Sequence, residues 1–255
     1  MISRLLAACL GLFLAGSSLS AADLSANELA GRLSAARSEP ATYVRLRMEI
    51  RQGGARDVLQ VQIKERNGKN STDLAYQVLF PKERKGETVL LKKSGNSVSG
   101  SVIEANGQVH PLEQLKQPLL GSDLSCEDVI DDFFAWDRQA IVGTDTINRT
   151  PCQILESKPG KGERSSYASV KTWVDSARLV PLRIEKYGSS GQLVRRITTT
   201  DVVKDAGRHI PAKLIVDAAR KDSLTDLDGS KIKHDVNYTD QDFTPEGLKD
   251  VSAPK

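Results

Sequence analysis

The chain has 255 residues, 39% hydrophobic and 27% charged, with a formal net charge of +3. Acids and bases are interspersed, and there is no basic block of the kind that neutralises phosphates, so composition speaks against a nucleic-acid partner. No stretch reaches the roughly 20 apolar residues that a transmembrane helix requires.

Residues 1–22 read as a secretory leader. Arg4 supplies the positive end, 5–15 form the apolar run, and Ser20-Ala21-Ala22 offers small residues for cleavage near Ala22. Leu6-Ala7-Ala8-Cys9 has the form of a lipobox, but most of the apolar run follows Cys9, which favours ordinary cleavage. The expectation is a periplasmic protein whose residues 23–255 make a single domain. Two cysteines survive cleavage, Cys126 and Cys152. In an oxidising compartment they form a disulfide or remain two buried thiols, and both readings stand.

A first helix is expected over 23–37, where Leu24, Leu29 and Leu33 share a face and Glu39-Pro40 ends the pattern. Strands follow. In 42–50 and 58–64 apolar residues alternate with polar ones, Leu46, Met48, Val61 and Ile63 falling on one face. Further strands are read at 75–80, with Leu79 inward, at 88–92, with Val89 inward, and at 98–104. Gly53-Gly54, Asn67-Gly68 and Asn106-Gly107 mark turns.

The run 118–137, PLLGSDLSCEDVIDDFFAWD, interrupts this β pattern. Ser125 and Asp128 have the spacing of a capping box. A helix of about three turns is expected after them. Val129, Ile130, Phe133, Phe134 and Trp136 would share its apolar face, with Asp128, Asp131 and Asp132 opposite and solvated. Strand signals resume at 140–142, 152–157, 170–175, 179–187, 193–201, 210–217 and 231–238, with Asp228-Gly229 as a hairpin turn. The Gly-rich stretch 158–166 reads as a mobile loop, and the tail after Phe243 as frayed.

No crossover helices separate these strands, so the sheet should be antiparallel, and a sheet this large curls. The fold class is therefore mainly β (α+β): a strongly curved antiparallel sheet, or incomplete barrel, with helices covering its concave face. The inserted helix either fills the hollow of the sheet as an ordinary core helix or forms a lid over an apolar pocket; the pocket would be lined by Leu46, Met48, Val61, Ile63, Leu79, Val89, Phe133, Phe134 and Trp136.

Several of these segments resemble the LolA-like outer-membrane lipoprotein-sorting family. They are the exported leader, RLRMEIRQ at 45–52, YQVLFPKERKGETVLL at 76–91, PLLGSDLSCEDV at 118–129 and VKTWVDSARLVPLRIEKY at 170–187. The resemblance implies an incomplete β-barrel closed by helices, with a hydrophobic cavity for lipid or lipoprotein acyl chains. It also implies a monomeric carrier, an inner-membrane transporter and an outer-membrane acceptor as partners, and no cofactor. Cys126 departs from the family pattern, in which an aromatic residue is expected. The family's cavity-gating arginine is not placed, since alternation puts Arg45 and Arg47 on the polar face.

Signals for catalysis are weak. His110, His209 and His234 are scattered without HExxH spacing, so no metal site is expected. The aspartates at 222, 226 and 228 lack calcium-loop spacing, and no GxSxG elbow occurs. The expectation is a non-enzymatic lipid carrier. The alternative is a periplasmic sensor or interaction module that uses the same fold to bind a protein.

Overall fold

The computed structural model describes residues 24–219 and 222–254. The expected leader, with its expected cleavage site and Cys9, lies outside the described residues. The chain begins with helix α1 (Ala26–Arg37). Its Ser25 cap and Glu28 form a complete capping box, satisfying amide groups the first turn would otherwise leave open.

Thirteen strands follow: β1 (Ala41–Gln52), β2 (Ala55–Asn67), β3 (Ser71–Phe80), β4 (Thr88–Ser94), β5 (Ser97–Ile103), β6 (Val109–Pro111), β7 (Arg138–Ile147), β8 (Thr150–Lys158), β9 (Ser169–Asp175), β10 (Val180–Tyr187), β11 (Leu193–Asp205), β12 (Arg208–Asp217) and β13 (Ser223–His234). They form one curved, unclosed sheet in the order β6-β5-β4-β3-β2-β1-β13-β12-β11-β10-β9-β8-β7. Neighbours follow one another in sequence except at β1–β13, where the last strand, antiparallel to both β1 and β12, joins the two halves. The β1–β2 turn is made by Gly53 and Gly54, whose φ angles of 55° and 84° suit a primed hairpin turn.

Three sequence expectations shift. The last strand begins at Ser223, so Asp228-Gly229 lies inside β13 opposite Arg47 and Leu46, at a register shift rather than a turn. Beyond Val236, the tail is packed on the convex face. Phe243 and Leu248 are buried against Ala75, Leu90 and Ile103. Beneath this tail a buried row of side chains crosses four strands. Tyr43 donates to Gln62 (2.9 Å), Gln62 to Gln77 (2.6 Å), and Gln77 to Thr88 (3.0 Å) and to the Leu248 carbonyl. The third shift is β6, too short and proline-capped to show alternation.

Candidate functional site

The concave face carries two apolar clusters. The first joins Met48, Val61, Leu74, Val78, Val89 and Leu91 from the sheet to Leu119, Leu120, Leu124, Cys126 and Ile130 from the connection between β6 and β7. Leu46 and Ile63 pack against it, half-buried. The expected floor residues Leu46, Met48, Val61, Ile63 and Val89 are thus brought together. Leu79 is not among them. Gln60 pairs with Phe80 and Val61 with Val78, which leaves Leu79 as the extra residue of a β-bulge. Val78 takes the inward position instead.

The second cluster joins Phe133, Phe134 and Trp136 to Leu29, Ala30 and Leu33 of α1 and to Leu155, Tyr167, Val170 and Val174. Gln139, at the start of β7, donates to the carbonyls of Phe133 (3.0 Å) and Trp136 (2.9 Å) and accepts from Ser157 (2.7 Å). The aromatic turn is thereby fixed to the sheet.

The connection over 112–137, which holds the expected lid, covers this face and is not one helix. It starts with a folded-back loop in which Pro118 bridges Ser125 and the Leu119 amide donates to the Leu124 carbonyl (2.8 Å). Helix α2 (Cys126–Ile130) follows, then a 3-10 turn (Phe133–Ala135). The helix stops because Asp131 is extended (φ −85°, ψ 135°) and the Asp132 side chain accepts from the Phe134 amide, starting a new turn. Aspartates compete with the helix ladder in this way. The five expected apolar residues are consequently divided between the clusters, Val129 and Ile130 in the first and the aromatics in the second. At the other end of the lid, buried Leu120 adopts φ 53°, a left-handed conformation costly for a non-glycine residue. Its carbonyl accepts from Arg84 (3.0 Å), which also pairs with Glu87 and Asp57.

Asp128 was expected on a solvated face, yet its side chain is fully buried. Lys186 and Arg195 stand directly opposite each other in the β10–β11 ladder, an arrangement that repels unless an anion intervenes. Asp128 is that anion. It pairs with Lys186 (2.7 Å) and with Arg195, and accepts from the Tyr167 hydroxyl (2.8 Å) and the Ser125 amide (2.7 Å). The Lys186 ammonium also sits over the rings of Phe133 (5.2 Å) and Tyr167 (4.9 Å). Burial alone would raise the Asp128 pKa. Lys186, Arg195 and the Ser125 amide outweigh it and hold the carboxyl below the ordinary aspartate value. Burial also pushes the Tyr167 hydroxyl well above its usual range.

Glu127 reinforces this latch. Its carboxylate accepts from Ser165 (2.8 Å), the Ser166 amide (2.6 Å) and the Ser166 hydroxyl. The expected mobile loop 158–166 is therefore pinned to the lid at its end. Asp132 accepts from Ser34 of α1 (2.5 Å). Cys126 and Cys152 are both free and buried, in different clusters on opposite faces, so the disulfide reading is not realised. Burial lifts the Cys126 thiol to about 11.

The expected apolar pocket is filled by the lid's own side chains. Two crevices flank the lid. One, of about 410 Å³, is rimmed by Arg37, Lys69, Lys93, Asp132 and Ile130. The other, of about 340 Å³, is bounded by Lys116, Asp123, Leu124, Gln192 and Arg195. Sequence reasoning missed Lys186, Arg195, Tyr167 and Glu127. The available signal was Lys186, charged on the same strand phase as Ile184.

A family model, described as "-like: Uncharacterized protein", matches residues 75–250, more than half of the chain. The chain belongs to that family, and its fold is LolA-like. No curated protein matches it. Among solved structures, a DUF1329 family protein from Desulfovibrio piger is similar, with TM-score 0.80, 24% identity, and coverage of 88% of this chain and 97% of that one. An outer membrane lipoprotein-sorting protein domain from Vibrio parahaemolyticus gives TM-score 0.76 at 18% identity, covering 88% and 98%. A LolA superfamily protein from Nitrosomonas europaea gives 0.69 at 19% identity, covering 87% and 98%. Against this LolA-like frame, the lid and its latch are the candidate functional elements.

Proposed function

We propose that this protein is an exported carrier that takes up a lipid, or the acyl group of a lipoprotein, on the concave face beneath the lid and escorts it between membranes. One observation carries the reading. A largely aliphatic sheet face is covered by a segment that fills it with its own side chains and is fastened by polar contacts. Leu119, Leu120, Leu124 and Ile130 together present about sixteen side-chain carbons, comparable to one long acyl chain. An incoming chain would replace these contacts with equivalent ones, each buried methylene contributing about 0.8 kcal/mol.

Among the described residues all thirteen strands lie in one sheet, which favours carriage over a sensing module with a separate recognition unit. The shared fold of the Vibrio parahaemolyticus domain, described as lipoprotein-sorting, supports the same reading. Native mass spectrometry and lipid extraction of protein purified from the periplasm test it. A co-purifying acylated molecule, or saturable binding of an added one, is expected. A chain that binds no acyl ligand under any lid-opening condition contradicts the proposal.

A further inference from the structure

We propose that the crevice between Lys116, Gln192 and Arg195 is a subsite for the anionic end of a single-chain acyl ligand, the chain itself running beneath the lid. The inference rests on the carrier reading and adds the ligand's chemical class and the position of its headgroup.

The crevice adjoins the acyl path directly, because Leu124 lines it and also belongs to the apolar cluster under the lid. Its charged groups are Lys116, Arg195 and Asp123. Asp123 accepts from the Thr225 hydroxyl (2.8 Å), which orients its carboxylate and leaves its charge in place, and Asp128 already pairs with Arg195, so Lys116 is the crevice's unpaired cation among the described residues. Lys116 is exposed and forms no ion pair among the described residues. Arg195 is the decisive group. All three of its hydrogen bonds leave from one nitrogen, Nη1, to Asp128, the Tyr167 hydroxyl (2.6 Å) and Ser125 (3.3 Å). Its Nε is buried without a partner.

A buried donor without an acceptor is unfavourable, and it lies on the guanidinium edge that grips a carboxylate or phosphate in bidentate fashion. An anion entering the crevice would complete Arg195 and gain Lys116 as a second cation. The shared ligand chemistry is an anion at the end of one hydrocarbon chain, whether the carboxylate of a fatty acid or the phosphate of a lysolipid.

The experiment is calorimetric titration of the intact mature protein with three ligands of equal chain length: myristate, myristoyl lysophosphatidate and neutral monomyristoylglycerol. The wild type, Lys116→Gln and Arg195→Lys are compared. The two anionic ligands are expected to bind at least about 10-fold tighter than the neutral one. Whichever is tighter identifies the source of the anion. Lys116→Gln, at an exposed position away from the latch, should shrink that preference. Arg195→Lys should shrink it further. Equal affinity for neutral and anionic ligands overturns the subsite but leaves carriage standing. So does an anion preference unchanged in both variants. Failure of all three ligands to bind removes the carrier reading together with the subsite.

Discussion

The two halves of the concave face are closed in different ways. Over β1–β4 the lid contributes mainly aliphatic side chains to an aliphatic floor, with directional bonds only at its edges, from Arg84 to the Leu120 carbonyl and from Lys93 to Asp131. Over β8–β11 it contributes a carboxylate to two facing cations, a second carboxylate to two serines, and an aromatic turn held by Gln139 and α1. Apolar packing is non-directional and tolerates exchange for another hydrocarbon of similar volume. A buried ionic network is specific and tolerates no missing member. The first half is thus suited to a replaceable cover, and the second to holding that cover in one place.

The largest effect should come from the latch. Asp128→Asn leaves Lys186 and Arg195 facing each other without an anion. It should cost about 3–5 kcal/mol, read by urea unfolding, and raise hydrogen exchange across 119–136. A loss under 1 kcal/mol would show that the latch contributes little.

A pair of truncations sharpens the contrast. Leu119→Ala and Phe133→Ala should each lose about 2–5 kcal/mol, because both side chains are buried. An added acyl ligand should restore Leu119→Ala by filling the vacated floor and leave Phe133→Ala unimproved. Equal rescue of both, or of neither, would erase the distinction between the halves.

Acid should release the latch late. The folded Asp128 pKa lies below its unfolded value, so its stabilisation is complete above the ordinary aspartate value, about 3.9, and is lost as pH falls through the lower folded value. Loss of protection over 119–136 through Asp128 should therefore appear only below about pH 4, and Asp128→Asn should lack this acid limb. Loss of protection near pH 6 in the wild type would implicate another group.

The smallest effect concerns the thiols. Cys126 and Cys152 should resist alkylation in the native protein and both react in denaturant without reductant. Two unreactive sulfurs in denaturant would reinstate a disulfide.

Local patterns in the sequence reveal much of this molecule. Alternation in 42–50 and 58–64 locates β1 and β2 and their inward residues, and Ser125 with Asp128 marks the start of α2. Features set by distant partners are less accessible. The inward phase of β3, carried by Leu74, Tyr76 and Val78 and not by Leu79, depends on how the strand pairs with β2. The facing of Lys186 and Arg195 depends on the register between β10 and β11, and Asp128 reaches them from about 60 residues away. The amphipathic template fails at Asp128 for a related reason. A polar helix face normally meets water, but here the sheet and the 165–167 segment bury it.

Met48 offers the most direct test of the central claim that an acyl chain replaces the lid on the aliphatic floor. It is one of two methionines in the chain, the other being Met1 in the expected leader, and it is fully buried in the floor cluster. Mature protein with a ¹³C-labelled methionine methyl group therefore reports from this site through one resonance. Titration with a fatty acid spin-labelled along its chain should shift and then bleach that resonance, with reversal when unlabelled fatty acid is added in excess. A Met48 signal that stays unchanged while the fatty acid demonstrably binds would place the ligand elsewhere and contradict the account.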